Sequence, residues 1–336
     1  MITLDQTINA LKAIAEPTRL RLLALLCSGD LSVKDLTWIL NQSQPRISRH
    51  LKLLNDAGLI ERSPEGSWVY YRLSGKTGFA SILQDILSHV DLSDAHTSRD
   101  REKLATIRQQ NAEVAASYFK ENAANWDQIR TLHVPEDAVE LAMTDMIGKE
   151  KFGSLLDLGT GTGRVLALFE GQYARALGID SSHEMLAVAR ANLDKGSSTR
   201  ARVQRGDILD LAGLSEQYSL VCIHQVLHYL DDPKSALMEA SRILEADGRM
   251  LIVDFSPHDV EHLRDKHAHR RLGFSNQQMN KWLSEAGLAV ENSVHLEPDG
   301  STKTPLTVSM WLARFKNNSK TSSQDNTLAP NLETTQ

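Results

Sequence analysis

The run Leu155-Leu156-Asp157-Leu158-Gly159-Thr160-Gly161-Thr162-Gly163 sets a carboxylate in an apolar stretch and three glycines at alternate positions just after it. Glycines let the backbone pass close to a ligand. The carboxyl end of a strand is where an open α/β sheet binds ligands. Asp157, Gly159, Thr160, Gly161 and Gly163 are therefore candidate cofactor-binding residues. A dinucleotide turn needs Gly-x-Gly-x-x-Gly. Counted from Gly159, its third glycine would be Arg164; counted from Gly161, it would be Leu166. Asp180, followed by Ser181, ends the next apolar run, where a carboxylate can accept bonds from two hydroxyls of a ligand. Asp207 and Ile208 end the third run. His224 and His228 follow the fourth, and His228 is by position the candidate base for an acceptor that must lose a proton. A hydrogen-bonded structural histidine is the competing reading.

A second set of residues suits a polyanion. At 100° per residue, Ile47, Leu51 and Leu54 share one helix face and should pack inward. Arg49 lies nearly opposite, with Arg46 and Lys52 beside it and Ser48 and His50 at the boundary. Ser43 and Gln44 open the same helix. Arginines near a helix N-terminus reach guanine edges or phosphates when that end enters the major groove. Arg62 and Arg72, on an alternating stretch that follows, suit phosphates.

The elements that must position these groups change character along the chain. Thr3 to Gln6 fits a capping box, Pro17 can start a second helix, and Ser32 caps a third from Val33 to Leu40. The turn Asn41 to Ser43 leads into a fourth helix ending near Gly58. Leu59 to Arg62 and Trp68 to Leu73 alternate around Ser63-Pro64-Glu65-Gly66, which reads as a β-hairpin wing. Residues 78–150 read as helical, with a polar charged joint at Asp94 to Lys103. Beyond Leu155, short apolar runs alternate with amphipathic helices: Leu155–Leu158, Ala176–Ile179, Arg202–Gln204, Leu220–Ile223 and Met250–Phe255. That alternation predicts a mostly parallel sheet covered by helices. Ala289–His295 and Leu306–Phe315 have no helix between them and should pair antiparallel. The expected divisions are 1–95, a winged helix that also dimerises; 96–150, a helical linker; 151–316, the α/β domain; and 317–336, a polar disordered tail.

Two resemblances follow from these residues. Glu16-Pro17-Thr18-Arg19-Leu20-Arg21-Leu22-Leu23, with Ile47-Ser48-Arg49-His50-Leu51-Lys52-Leu53-Leu54 and Ala57-Gly58-Leu59-Ile60, resembles the arsenic-repressor family of bacterial regulators. The resemblance implies an α+β winged helix-turn-helix, a homodimer and double-stranded operator DNA as partner. Where that family carries metal-binding cysteines, this chain has Ser32, Val33 and Lys34; where its last helix carries a histidine, this chain has Leu87. No metal site is expected there. The Gly-x-Gly-x-Gly turn after Asp157, with Asp180, Gly206-Asp207-Ile208 and Gly248-Arg249-Met250-Leu251-Ile252-Val253 in order, resembles class I methyltransferases of the ubiquinone-biosynthesis type. This implies a Rossmann-like, mostly parallel seven-stranded sheet with an antiparallel edge pair. It also implies S-adenosylmethionine or S-adenosylhomocysteine as ligand, with Asp157 and Gly161 near its amino-acid portion and Asp207 beside the adenine. The amino-group motif Asn/Asp-Pro-Pro-Tyr/Trp is absent, and Cys222 follows Val221 rather than proline. The acceptor, if any, is expected to be a small molecule.

Whole-chain quantities bound the remaining choices. The net charge of -6 hides an asymmetry: residues 1–80 hold ten basic and seven acidic side chains, the rest 27 and 36. Any polyanion contact belongs to the N-terminal part. No apolar run approaches the ~18 residues of a membrane span, and the N-terminus lacks a leader pattern, so a cytoplasmic location without membrane partners is expected. Cys27 should be packed. His258, His262, His267 and His269, with Arg270 and Arg271, read either as a metal-binding face or as a lid over an anionic acceptor. Trp126 and Tyr118 should line the cofactor entrance or serve structure. Three readings stay open: a regulator that senses the adenosyl cofactor, an active small-molecule methyltransferase controlling its own operon, and an enzyme whose winged helix dimerises.

Overall fold

The computed structural model describes residues 3–65, 67–74, 79–89, 94–126, 136–195, 200–298 and 306–316. The expected tail after Lys316 lies outside them.

The N-terminal part is built by local signals. In α1 (Leu4–Ile14), the Thr3 hydroxyl accepts from the Gln6 amide and the Gln6 side chain accepts from the Thr3 amide. Glu16 caps α2 (Pro17–Leu26), whose first helical residue is proline. A second capping box, Ser32 with Asp35, starts α3 (Val33–Leu40) after the short strand β1 (Leu31–Ser32). In α4 (Gln44–Asp56), Ile47, Leu51 and Leu54 are fully buried, as their spacing requires. The hairpin comprises β2 (Ile60–Glu65) and β3 (Trp68–Leu73), with Glu65 opposite Trp68. Ser63 and Pro64 thus belong to a strand rather than to the turn. β2 lies at the edge of the order β1-β3-β2, where a proline costs no ladder bond. Leu83 and Leu87 of α5 (Phe79–Ser88) join this core.

The joint expected at Asp94 to Lys103 is instead the beginning of α6 (Ala95–Asn122), a helix of 28 residues capped by Asp94. Tertiary contacts stabilise its polar first turns. Arg21 donates two 2.7 Å bonds to Asp100, and Lys103 donates to the last carbonyls of α3, at Trp38 and Ile39.

The second part follows α7 (Glu136–Ile147). Its strands are β4 (Phe152–Leu158), β5 (Tyr173–Asp180), β6 (Ala201–Arg205), β7 (Tyr218–His224), β8 (Leu244–Phe255), β9 (Leu288–Leu296) and β10 (Val308–Phe315). They form one sheet in the order β6-β5-β4-β7-β8-β10-β9. Six strands run in one direction, and β10, between β8 and β9, runs antiparallel to both its neighbours. The covering helices are α8 (Arg164–Leu168), α9 (His183–Lys195), α10 (Pro233–Arg242), α11 (His262–His267) and α12 (Asn276–Glu285). Strand order reverses between β4 and β7, which makes their carboxyl ends the switch point where such sheets bind ligands. No helix among the described residues is long and apolar enough to cross a membrane.

The two parts meet over the wing. Arg271, with no exposed surface, donates to both Glu65 carboxylate oxygens at 3.0 Å and to Asp30 at 3.2 Å. Tyr70 donates to the Arg270 carbonyl at 2.9 Å, and Lys281 of α12 donates to Glu61 at 3.0 and 3.1 Å. The guanidinium of Arg264 lies 4.6 Å over the Trp68 ring. Burial disfavours the Arg271 cation, but the charges of Glu65 and Asp30 outweigh it and hold the proton firmly; burial still pushes the Asp30 carboxyl up.

Candidate functional site: a cavity at the strand ends and a polar helix face

A cavity of about 620 Å³ opens at the carboxyl ends of β4, β5, β6 and β7. Its walls include most of the expected cofactor residues: Asp157, Gly159, Thr160, Gly161, Asp180, Ser181, Asp207, Ile208 and His224. The backbone here is left-handed, with φ 74° at Gly159 and 52° at Gly161. A Cβ on Gly159 would lie 2.3 Å from Val226, whereas one on Gly161 would meet Trp126 at an ordinary 3.5 Å. The first glycine is needed for packing and the second leaves a cradle beside the cavity. Gly163 does not line the cavity. It precedes α8, and a Cβ there would touch Ala189 of α9 at 3.4 Å, so it sets helix packing.

Asp180 accepts from the Gly161 amide at 2.9 Å and from Ser182 at 2.8 Å. Burial pushes its carboxyl up, against these backbone bonds, which favour the ionised form. The bond to Gly161 ties the end of β5 to the glycine turn. Asp207 is held by the Leu209 amide at 2.9 Å. These two carboxylates and the open turn suit a ligand carrying hydroxyl and amine donors.

His228 is the candidate base by position. It is buried in the turn after β7 and is not among the residues lining the cavity. Its Nδ1 sits 2.8 Å from Asp254, and its ring packs at 4.1 Å from Tyr229 and 4.2 Å from His269. One residue further along the turn, Tyr229 faces the cavity instead. His228 is a positioning residue: its carbonyl accepts the amides of Arg270 and Arg271 at 2.8 and 3.0 Å.

Sequence reading missed the roof. Ala112, Ala115, Ala116 and Phe119 of α6 line the cavity at helical spacing. Phe119 packs edge-on against Trp126 at 5.3 Å and Tyr229 at 4.8 Å. The expected entrance residue Trp126 therefore lines the cavity, while Tyr118 supports it and bonds His267 at 2.8 Å. Burial pushes the Tyr118 hydroxyl up to about 12. Asn111 and Arg270 both donate to Asp231 at the far end, at 3.0 and 2.8 Å. The arginine pair expected to receive an anionic acceptor is thus engaged by Asp231, Glu65 and Asp30. Among the described residues no group of three or more His, Cys, Asp or Glu could hold a metal ion. Cys27, expected to be packed, is exposed because it stands at the end of α2.

Ser43, at the N-cap of α4, and Gln44, Arg46, Ser48 and Arg49 on the helix are exposed together, as is Arg62 on β2. His50 departs from this face: it is half-buried, 3.6 Å from Glu16, and burial pushes its imidazole down. Arg72 also departs. It donates to Glu61 at 2.9 and 3.1 Å, and Glu61 in turn holds Lys281, so Arg72 is engaged within the protein rather than presented to phosphates.

Comparison with known proteins agrees with this division. Residues 16–62 match the model of the bacterial regulatory protein family arsR, and residues 156–252 match a methyltransferase domain. The arsenical resistance operon repressor of Escherichia coli is 50% identical over 68 residues, covering 20% of this chain and 58% of that protein. The transcriptional repressor SdpR of Bacillus subtilis is 38% identical over 80 residues, covering 24% of this chain and 83% of that protein. An uncharacterized methyltransferase of the same bacterium, YcgJ, is 28% identical over 106 residues, covering 31% of this chain and 42% of that protein. This chain therefore spans about half the length of the first and last of these relatives. Through its N-terminal part the chain belongs to the arsR family of bacterial regulatory proteins, and it carries a class I methyltransferase domain on the same polypeptide.

Proposed function

We propose that this chain is a DNA-binding regulator whose methyltransferase domain takes S-adenosylmethionine or S-adenosylhomocysteine as effector. One observation carries the reading: α6 belongs to both halves. Its first turns are anchored to α2 and α3 by Asp100 and Lys103, and its last turns roof the cavity. A ligand that moves the roof must therefore act on the helices that support α4. The cradle at Gly161, the carboxylates of Asp180 and Asp207, and the aromatic wall of Phe119, Trp126 and Tyr229 fit the polar and adenosyl parts of that cofactor. Bound adenosylmethionine would supply an electrophilic methyl group, which adenosylhomocysteine lacks. Ser43, Gln44, Arg46, Ser48 and Arg49 would read the major groove, and Arg62 would take a phosphate. Leu4, Ile8 and Leu11 form an exposed apolar stripe along α1. Such a stripe suits a second copy of the chain, as a two-fold operator would require.

A second reading is an active methyltransferase acting on a small apolar molecule. The volume of the cavity and its alanine and aromatic walls favour it. With His228 outside the cavity lining, proximity and orientation would have to supply the rate. The deciding experiment is fluorescence anisotropy with a labelled duplex that the protein itself selects from a random pool. Adenosylmethionine and adenosylhomocysteine are added in turn at fixed salt. The regulator reading expects one form to shift the affinity about 5- to 150-fold. Identical curves in all conditions would leave the enzyme reading.

A further inference from the structure

The wing of this chain is built unlike a phosphate clamp. Its two carboxylates, Glu61 and Glu65, both point at cations of the methyltransferase domain, Lys281 and Arg271. Its aromatic residue Trp68 lies under Arg264, and the Ser67 amide donates to Glu261 at 2.6 Å. Arg72 is consumed by Glu61. Among the described wing residues Arg62 is the exposed cation.

The other side of this contact is the cavity. Arg270 and Arg271 are adjacent, and both amides hang on the His228 carbonyl in the turn that presents Tyr229. Arg270 donates to the cavity carboxylate Asp231, and Arg271 is inserted between Glu65 and Asp30. Two consecutive residues thus join the cavity wall to the wing and to the loop after α2. A buried arginine with two carboxylates has few alternative arrangements, because separating them strands charge away from water. Such a contact moves as a unit or breaks as a unit.

We propose that the wing is the link through which the cavity is read: ligand in the cavity shifts the Tyr229 turn, the Arg270–Arg271 pair follows, and the wing moves relative to α4. This rests on the regulator reading above and adds a second route beside α6. Removing either partner alone would leave a stranded charge, so the informative variant neutralises all three groups: Asp30→Asn, Glu65→Gln and Arg271→Met. The selected duplex is titrated with full-length wild type and with this variant, with and without adenosylhomocysteine and adenosylmethionine. The variant should still bind DNA, and the ligand-driven shift should fall at least about threefold below that of wild type, from the 5- to 150-fold range of typical coupling, the remainder being what α6 carries. A variant that keeps the wild-type shift overturns the proposal. A wild type that shows no shift, or selects no duplex, overturns the regulator reading instead.

Should the triple variant not fold, a second test keeps the triad intact. Ser67→Cys and Glu261→Cys, in a Cys27→Ser background, are bridged by a short dimaleimide with a cleavable disulfide. The bridged protein should lose most of its ligand response and regain it on cleavage. A bridged protein that responds like the cleaved one overturns the proposal.

Discussion

Alanine at Gly159 and alanine at Gly161 should separate packing from ligand binding within one turn. Both glycines have left-handed backbone, at φ 74° and 52°, so each substitution costs about 1–2 kcal/mol in backbone strain. Only the Gly159 methyl meets an obstacle, since its Cβ would lie 2.3 and 2.9 Å from the two γ carbons of Val226. Overpacking of this kind adds about 1–3 kcal/mol. Gly159→Ala should therefore destabilise its domain by about 2–5 kcal/mol and Gly161→Ala by about 1–2. At roughly 2–4 °C per kcal/mol for a domain of this size, the melting temperature should fall by roughly 4–20 °C and 2–8 °C respectively. Ligand affinity should follow the opposite order. The Gly161 methyl enters the cradle beside the cavity, so calorimetry at a temperature where both variants are folded should show adenosylmethionine binding weakened most by Gly161→Ala. Adding Val226→Ala to Gly159→Ala removes the obstacle and should recover the overpacking part, a coupling expected of residues in contact. Equal melting temperatures for the two single variants, or no recovery in the double variant, would refute this account of the turn.

Arg49→Ala should weaken binding to the selected duplex by about 1–3 kcal/mol and relax its sequence preference. Arg62→Ala should weaken all duplexes alike and lower the salt slope by about one, whereas Arg72→Ala should leave that slope unchanged, because Glu61 holds the Arg72 guanidinium. Burial pushes the Glu61 carboxyl up, but the bonds and charges of Lys281 and Arg72 outweigh it and hold it below its usual 4.5. Its contribution is therefore complete above pH 4.5 and is lost as the pH falls through the lower folded value. Urea midpoints measured down that range should fall more steeply in wild type than in Glu61→Gln, and parallel curves would remove the Glu61 contribution. Ile8→Asp with Leu11→Asp should shift the sedimentation of a dimer to that of a monomer without lowering helix content, and an unchanged species would place the interface elsewhere.

Local chemistry was legible in the residues. The capping boxes at Thr3 and Ser32 and the inward triplet of α4 depend on neighbours within one or two turns, so spacing alone determines them. The glycine turn and Asp180 were legible for a related reason: an alternating strand-and-helix pattern places every strand end on one edge of the sheet. Tertiary structure decided the rest. Asp94 to Lys103 reads as a joint because it is polar, and becomes helix because Arg21 and the end of α3 absorb its charges. His228 and Tyr229 are neighbours on a turn, and which of them faces the cavity depends on Asp254, 26 residues away. Glu65 and Arg271 are 206 residues apart. A charged side chain looks the same in a sequence whether water or a buried partner surrounds it, so the docking of the wing existed only once the two domains had packed, whereas the Arg72–Glu61 pair needs only the hairpin register.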